Sequence, residues 1–192
     1  MSTRRSELTR EAARLFAEKG YHGTSIGDIA DAMGVQKASL YHHIESKAEL
    51  LWEVARDGAD AFHAALDDVP ETLGPVERIR AALRAHLRVV AEQLDIATVF
   101  VREWRYLDAT RREAFVAERR RYEERIRSLF RDGVEQSELR TDLDVNVAAL
   151  LFLSAANWAY TWLRAGRDTD ELADGFFELL VNGMRGYSTP PA

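Results

Sequence analysis

The sequence predicts an all-α fold, and three observations carry that prediction. Apolar residues recur at spacings of three and four along most of the chain, no stretch keeps up a period-two alternation of β-branched residues, and only four prolines and eleven glycines punctuate 192 residues. The pattern divides into about nine helices, a short three-helix segment at the N-terminus and a larger helical bundle after it.

Taken in order, Leu8, Ala12, Leu15 and Phe16 form one face of a first helix that runs to about Lys19 and stops at Gly20, a residue suited to the left-handed helix end. A turn follows at Tyr21-His22-Gly23. Ser25 precedes Ile26, Ile29, Ala30 and Met33, with Asp28 three positions on as a carboxylate version of the capping box, and Gly34 closes this second helix. A third short helix covers about residues 37–43. Ser46-Lys47-Ala48-Glu49 is a Ser-x-x-Glu capping box, and it opens a long helix through Leu51, Trp52, Val54 and Ala55 toward Leu66.

Residues 70–75, with Pro70, Gly74 and Pro75, mark a break, and Pro75 fits the first turn of the next helix, over about 76–94. Further helices are expected over 96–106, 110–136, 146–164 and 169–184. The arginine-rich block 118–125 reads as a solvated face with i,i+4 charge pairs, because Tyr122, Ile126, Leu129 and Phe130 supply a buried stripe. Residues 188–192, Ser-Thr-Pro-Pro-Ala, are expected to be disordered.

Composition narrows the class. With 46% hydrophobic and 30% charged residues the chain is neither collagen-like nor disordered. The absence of cysteine excludes disulfides, thiolate zinc sites, iron–sulfur clusters and a cysteine nucleophile, and suits a reducing cytoplasm. The N-terminal residues lead into a polar helix pattern without the features of a secretory signal. The longest apolar stretch, 147–163, is broken by Ser154, Asn157 and Thr161 and falls short of the roughly 20 residues of a membrane span, so a cytoplasmic protein with a buried helix is expected.

Net charge is −6, from 26 Lys and Arg against 32 Asp and Glu. Residues 1–50 hold seven of each sign, so all the excess acid lies beyond them, and His22, His42 and His43 also fall in this first segment. Electrostatically it is the best face to offer to phosphate.

Residues 24–47 read as a helix-turn-helix. Ile29 and the small Ala30 line the inner side of the first short helix, Gly34 permits the tight turn, and Val35 and Leu40 fill the space between the helices. Gln36, Lys37, Ser39, Tyr41 and His42 are left facing outward. Amide, ammonium and hydroxyl groups can meet base edges in a major groove, while a phenol and a lysine can hold phosphate.

Thr24-Ser25, Ile29-Ala30, Ala32-Met33-Gly34-Val35, Leu40-Tyr41-His42-His43-Ile44, Lys47 and Leu50, preceded by Ala12, Phe16, Gly20 and Tyr21, resemble the DNA-binding region of the TetR family of bacterial transcriptional repressors. Met33 and Ile44 stand where the family often has Ala and Phe, and both keep the positions apolar. The resemblance implies phosphate contacts from Thr24, Ser25, Tyr41 and Lys47, and base or sugar contacts from Gln36, Lys37, Ser39 and His42. It also implies a homodimer on a palindromic operator, an N-terminal DNA-binding domain over 1–51, an effector-binding and dimerisation domain over 52–187, and repression relieved by a small molecule. One helix-turn-helix makes few contacts, so a two-fold dimer is expected on physical grounds too.

For the dimer interface the last two helices stand out, with Leu172, Phe176, Leu179, Leu180 and Gly183 in one stripe and residues 147–163 apolar nearly all round. For an effector pocket the candidates are Phe100 and Trp104, beside Val99, and Phe152, Asn157, Trp158, Tyr160 and Trp162, with Phe62 and His86 as further lining. Asn157 and Tyr160 are the telling members, since polar groups amid apolar surface need partners. Residues 158–166 are similar to the corresponding helix end in TetR-type repressors that sense acyl-CoA thioesters, which implies a lipophilic or acyl-CoA-like effector, with Arg102, Arg105 and Arg164 available to an anionic head.

No metal, cofactor or catalytic activity is expected. The chain has no His-Glu-x-x-His, no phosphate loop and no dinucleotide-binding glycine pattern, and His42 and His43 sit on different faces of a helix. A ligand-independent regulator and a helical-bundle enzyme with an ancestral helix-turn-helix are the alternatives.

Overall fold

The computed structural model describes residues 3–163 and 168–182, and among them every regular element is a helix. The nine α-helices are α1 (Thr3–Lys19), α2 (Ile26–Ala32), α3 (Lys37–Leu40), α4 (Lys47–Asp67), α5 (Pro75–Glu92), α6 (Leu94–Arg102), α7 (Ala109–Glu135), α8 (Val145–Trp158) and α9 (Thr169–Asn182). Short 3-10 turns at Trp104–Tyr106 and Ala159–Thr161 finish what the periodicity read as continuous helix. Arg164, Gly183 and the tail 188–192 lie outside the described residues. No helix of the described residues is long and apolar enough to cross a membrane.

The helices group into two packing units. One comprises residues 1–61 and 93–119, the other 62–92 and 120–192. This packing division cuts the chain at other places than between residues 51 and 52, with α6 packed on α1 and residues 109–119 in the same unit.

In the first unit, Leu8, Ala12, Leu15 and Phe16 are buried as their spacing predicts, and α1 packs on α6. Burying four such side chains contributes on the order of 5 to 10 kcal/mol before chain entropy is counted. In the second, α5 sits against α9 and α8, joining Ile79, Leu83 and Leu87 with Ala173, Phe177 and Val181 in the core. Three arginines one turn apart, Arg80, Arg84 and Arg88, edge this contact. Arg84 forks onto Asp174 at 2.9 and 2.6 Å, Arg80 reaches Glu178 at 2.9 Å, and Arg88 reaches Asp170 at 3.1 Å.

Pro75 occupies the first turn of α5, where its missing N–H costs nothing. On α7, Tyr122, Ile126, Leu129 and Phe130 are buried, and Arg127 and Arg131 pair with Glu123 and Glu124 on the outer side. Arg125 does not belong to that solvated face. It reaches across to Asp67 of α4 at 2.5 Å.

Candidate nucleic-acid interface and effector region

The helix-turn-helix is built on a complete capping box. The Ser25 hydroxyl accepts from the Asp28 N–H at 3.0 Å, the Asp28 carboxylate accepts from the Ser25 N–H at 2.7 Å, and the Ser25 hydroxyl donates to it at 2.5 Å. Those Ser25 hydrogen bonds hold the Asp28 carboxyl down to about 2. Ile26, Ile29 and Ala30 are buried on the inner face of α2. Gly34 then takes φ +65°, a conformation a side chain would strain, and the Val35 N–H donates back to the Ala30 carbonyl at 3.0 Å.

α3 is a single turn, shorter than the 37–43 expected. After Leu40 the chain tightens into turns, with the His43 N–H on the Leu40 carbonyl at 2.8 Å and the Ile44 N–H on the same oxygen at 3.1 Å. The tightening carries Ile44 into the core, where it is 3% exposed. Gln36, Lys37, Ser39, Tyr41 and His42 are all exposed, Tyr41 by 51%, so these five side chains share one uncovered surface. Ser25 is exposed as well.

Thr24 and Lys47 are placed differently from the expected phosphate ligands. Thr24 is buried, its hydroxyl lies 3.1 and 3.0 Å from the Leu15 and Gly20 carbonyls, and its N–H donates to the Tyr21 carbonyl at 3.3 Å. Neither donor faces solvent, so Thr24 shapes the entry to α2 and does not itself reach phosphate. The Lys47 ammonium donates to the Tyr21 and Thr24 carbonyls, both at 2.8 Å, and lies 4.2 Å over the Tyr21 ring. Burial pulls its pKa below the usual lysine value. With two of three protons engaged in the turn, Lys47 is a positioning group with one proton left over.

Arg5 completes this framework, and the sequence reading missed it. Its guanidinium donates to the His43 carbonyl at 2.5 Å, to Glu49 at 2.6 Å and to the buried Glu53, which also accepts from the Thr9 hydroxyl at 3.2 Å. One arginine of α1 thereby ties the exit turn of α3 to α4. Glu49 is consequently diverted from its capping box. The Glu49 N–H still donates to the Ser46 hydroxyl at 3.1 Å, but its carboxylate turns to Arg5 and to the Glu45 N–H. No local signal marks this clasp, since its partners are 38 to 48 residues away.

The effector candidates fall into both packing units. In the first, Phe100 lies edge-on to Phe115 at 5.0 Å and Trp104 stacks on Phe115 at 5.8 Å, with the Arg119 guanidinium 5.5 Å over Trp104. Val99 is buried beside them, whereas Arg102 and Arg105 lie exposed. The same stretch touches the helix-turn-helix. The buried Glu103 carboxylate accepts the Tyr21 N–H at 2.9 Å, and Tyr106 stacks on Tyr21 at 5.8 Å.

In the second unit, Phe62, His86, Tyr122 and Phe152 are buried together. His86 Nδ1 is 3.0 Å from the Tyr122 hydroxyl, and the ring lies 4.5 Å from Phe62 and edge-on to Phe152 at 6.4 Å. Burial pushes His86 down to about 3, against a smaller opposing influence from Asn157, and pushes the Tyr122 phenol up, so both are uncharged. No group meets His86 Nε2 with hydrogen-bond geometry. Tyr122, which periodicity marked only as buried stripe, is the polar partner here.

Trp158 does not line a buried site. It is 62% exposed and shares a stripe of α8 with Val147, Leu150 and Leu151, exposed by 59, 63 and 49%. The last turn of α8 wraps into the 3-10 turn, where Tyr160 is half-buried and Trp162 meets Phe176 of α9 edge-on at 5.8 Å. On α9, Leu172, Phe176 and Leu180 are half-buried and Leu179 is fully outward.

Residues 8–54 match the family model described as bacterial regulatory proteins, tetR family, and residues 72–184 match the tetracyclin repressor-like C-terminal domain. The HTH-type transcriptional repressor KstR2 of Mycobacterium tuberculosis is 30% identical over 169 residues, 86% of this chain and 84% of its own. The structure of the TetR family transcriptional regulator PfmR from Thermus thermophilus superposes with a TM-score of 0.86 at 35% identity, covering 93% of this chain and 99% of that one. AibR, solved in complex with isovaleryl coenzyme A and operator DNA, superposes with a TM-score of 0.84 at 34% identity, covering 93% and 98%.

Proposed function

Because the chain belongs to the TetR family of bacterial regulatory proteins, we propose that it is a cytoplasmic, non-catalytic repressor that binds a palindromic operator as a homodimer and is released by a lipophilic or acyl-CoA-like effector. The observation that carries the DNA-binding part is the uncovered polar surface of Gln36, Lys37, Ser39, Tyr41 and His42. It stands on one turn of helix whose exit turn is held by Arg5, beside an α1–α2 turn held by Thr24 and Lys47. Gln36, Lys37, Ser39 and His42 read bases or sugar, while Ser25 and Tyr41 hold phosphate, joined by the remaining Lys47 proton. Functionally the chain divides into a DNA-binding part over 1–51 and an effector and dimer part over 52–187.

The exposed α8 stripe with Leu179 supports the dimer, since contiguous apolar surface of this kind is covered in assemblies. The Phe100–Trp104–Phe115 group and the His86–Tyr122–Phe152 group support an effector with apolar bulk. AibR supports the acyl-CoA class by its bound ligand. The test is selection of binding sites from a random double-stranded DNA pool with the purified full-length protein. Enrichment of a two-fold palindrome is expected. Retention that is only salt-sensitive and sequence-independent, from a preparation whose mass spectrum after denaturation holds no small molecule, would overturn the reading.

A further inference from the structure

Tyr21, the first residue after Gly20, is held by two residues of one distant stretch within the first unit. Glu103 caps the C-terminal end of α6 with its N–H on the Val99 carbonyl at 2.9 Å, and its own carbonyl accepts the Tyr106 N–H at 3.0 Å. That closed turn brings both side chains to the same place. The Glu103 carboxylate accepts the Tyr21 N–H at 2.9 Å, and the Tyr106 ring stacks on the Tyr21 ring at 5.8 Å while meeting His22 edge-on at 4.4 Å. Glu103 is 5% exposed and pairs only loosely with Arg102, whose Nε is 3.9 Å away. A buried carboxylate with so few groups to satisfy it holds its N–H partner firmly, since charge-assisted hydrogen bonds are about twice as strong as neutral ones.

Tyr21 in turn forms one side of the seat of Lys47. The ammonium donates to the Tyr21 carbonyl at 2.8 Å and lies 4.2 Å over the Tyr21 ring, and the other side of the seat is the Thr24 carbonyl, also at 2.8 Å. Thr24 is fixed locally, by the Leu15 and Gly20 carbonyls. Tyr21 depends on a carboxylate 82 residues further along the chain.

We infer that Glu103 and Tyr106 are positioning residues for DNA binding, which fix Tyr21 and so set the place from which the Lys47 ammonium meets phosphate. The inference deepens the DNA-binding reading proposed above and rests on it. A lysine stem is flexible, so an unseated ammonium is spread over many positions and loses that freedom only on meeting phosphate. Seated on Tyr21 and Thr24, it meets the duplex already ordered, and binding is tighter by that difference. Glu103 itself is buried and touches no phosphate. Tyr106 acts through the ring it stacks on.

Fluorescence anisotropy of the full-length protein on a labelled duplex carrying the palindrome enriched from the random pool, over a salt series, tests this. Glu103→Leu, which keeps the bulk but leaves the Tyr21 N–H without an acceptor, should weaken binding by about tenfold and lower the salt slope by about one, the signature of one lost phosphate contact. Glu103→Gln keeps an oxygen for that N–H and should recover most of the loss. Added to Lys47→Met, Glu103→Leu should weaken binding by less than about twofold further, because both act on the same contact. Tyr106→Leu, at a position 41% exposed, should weaken binding by about threefold, and keeps the test open if Glu103→Leu fails to fold. A lowered melting temperature with an unchanged salt slope, and losses from Glu103→Leu and Lys47→Met that multiply, would make Glu103 a purely structural cap and overturn the inference. So would operator binding indifferent to both Glu103→Leu and Tyr106→Leu, with the DNA-binding reading left intact. If the unaltered protein binds no DNA, that reading falls and the inference with it.

Discussion

Among the described residues, two of the uncovered surfaces differ in kind. The segment around α3 exposes Gln36, Lys37, Ser39, Tyr41 and His42, all with polar groups, on a helix of one turn. Helix α8 exposes Val147, Leu150, Leu151 and Trp158 on fourteen residues of regular helix. The first is compatible with water and offers donors at fixed positions; the second gains free energy only when something apolar covers it. On the reading proposed above, the chemistry of each open surface, read against the rigidity behind it, points to nucleic acid for one and to a second copy of the chain for the other.

The sharpest way to break the contrast is to make the α8 surface polar. Leu150→Glu should abolish the dimer at micromolar concentration and weaken operator binding by at least about a hundredfold, since a carboxylate in an apolar interface has no partner. Sedimentation velocity together with fluorescence anisotropy checks both, and a variant that still sediments as a dimer would move the interface away from α8.

The turn that leads into the helix-turn-helix is attacked through Lys47. Lys47→Met keeps the stem but loses two hydrogen bonds to carbonyls, and should cost about 2 kcal/mol of stability along with part of the DNA affinity. Lys37→Ala, by contrast, should leave the melting temperature alone and lower the salt slope of binding by about one. Melting curves and binding isotherms over a salt series separate the two, and equal melting temperatures for both variants would sink the positioning role of Lys47.

His86 adds a pH dependence. Its folded pKa, about 3, lies below the ordinary histidine value near 6.5, so between these pH values the unfolded chain binds a proton that the folded chain does not. Stability from this group is therefore complete above about pH 6.5 and falls on acidification, by roughly 2 kcal/mol at pH 5. His86→Gln should flatten that part of the profile, as followed by urea denaturation at pH 5 and 7. An unchanged slope would mean that His86 is not the group responsible.

The smallest effect distinguishes reading from gripping on the polar surface. Gln36→Ala should relax discrimination at one or two base pairs, at a cost of about 1 kcal/mol or somewhat more. Tyr41→Phe should weaken all DNA sequences alike by about 1 kcal/mol. Competition between operator variants reads both, and reversed behaviour would exchange the two roles.

Much of the architecture was legible before any coordinates. Gly20, Gly34, Pro75 and the Ser25–Asp28 box mark helix boundaries because their effects are local, acting within four residues. The outward set around α3 was legible too, since Val35 and Leu40 identify the inner side. Thr24, Lys47 and Glu49 were not, because each can serve solvent, phosphate or backbone equally well, and the choice depends on carbonyls and on Arg5 brought in from elsewhere. Trp158 misled for a related reason. An aromatic residue on a helix that is apolar nearly all round carries no mark of which side the rest of the chain covers.

By itself, then, the amino-acid sequence determined the helical class, the order of the helices, and the helix-turn-helix with its outward polar residues, because periodicity and capping operate over one or two turns. The tertiary structure decided which polar groups hold the turn, which stripe of α8 stays open, and how His86 and Tyr122 meet as a neutral buried pair. Those outcomes depend on residues far apart in the chain, meeting only once burial has settled what each side chain faces.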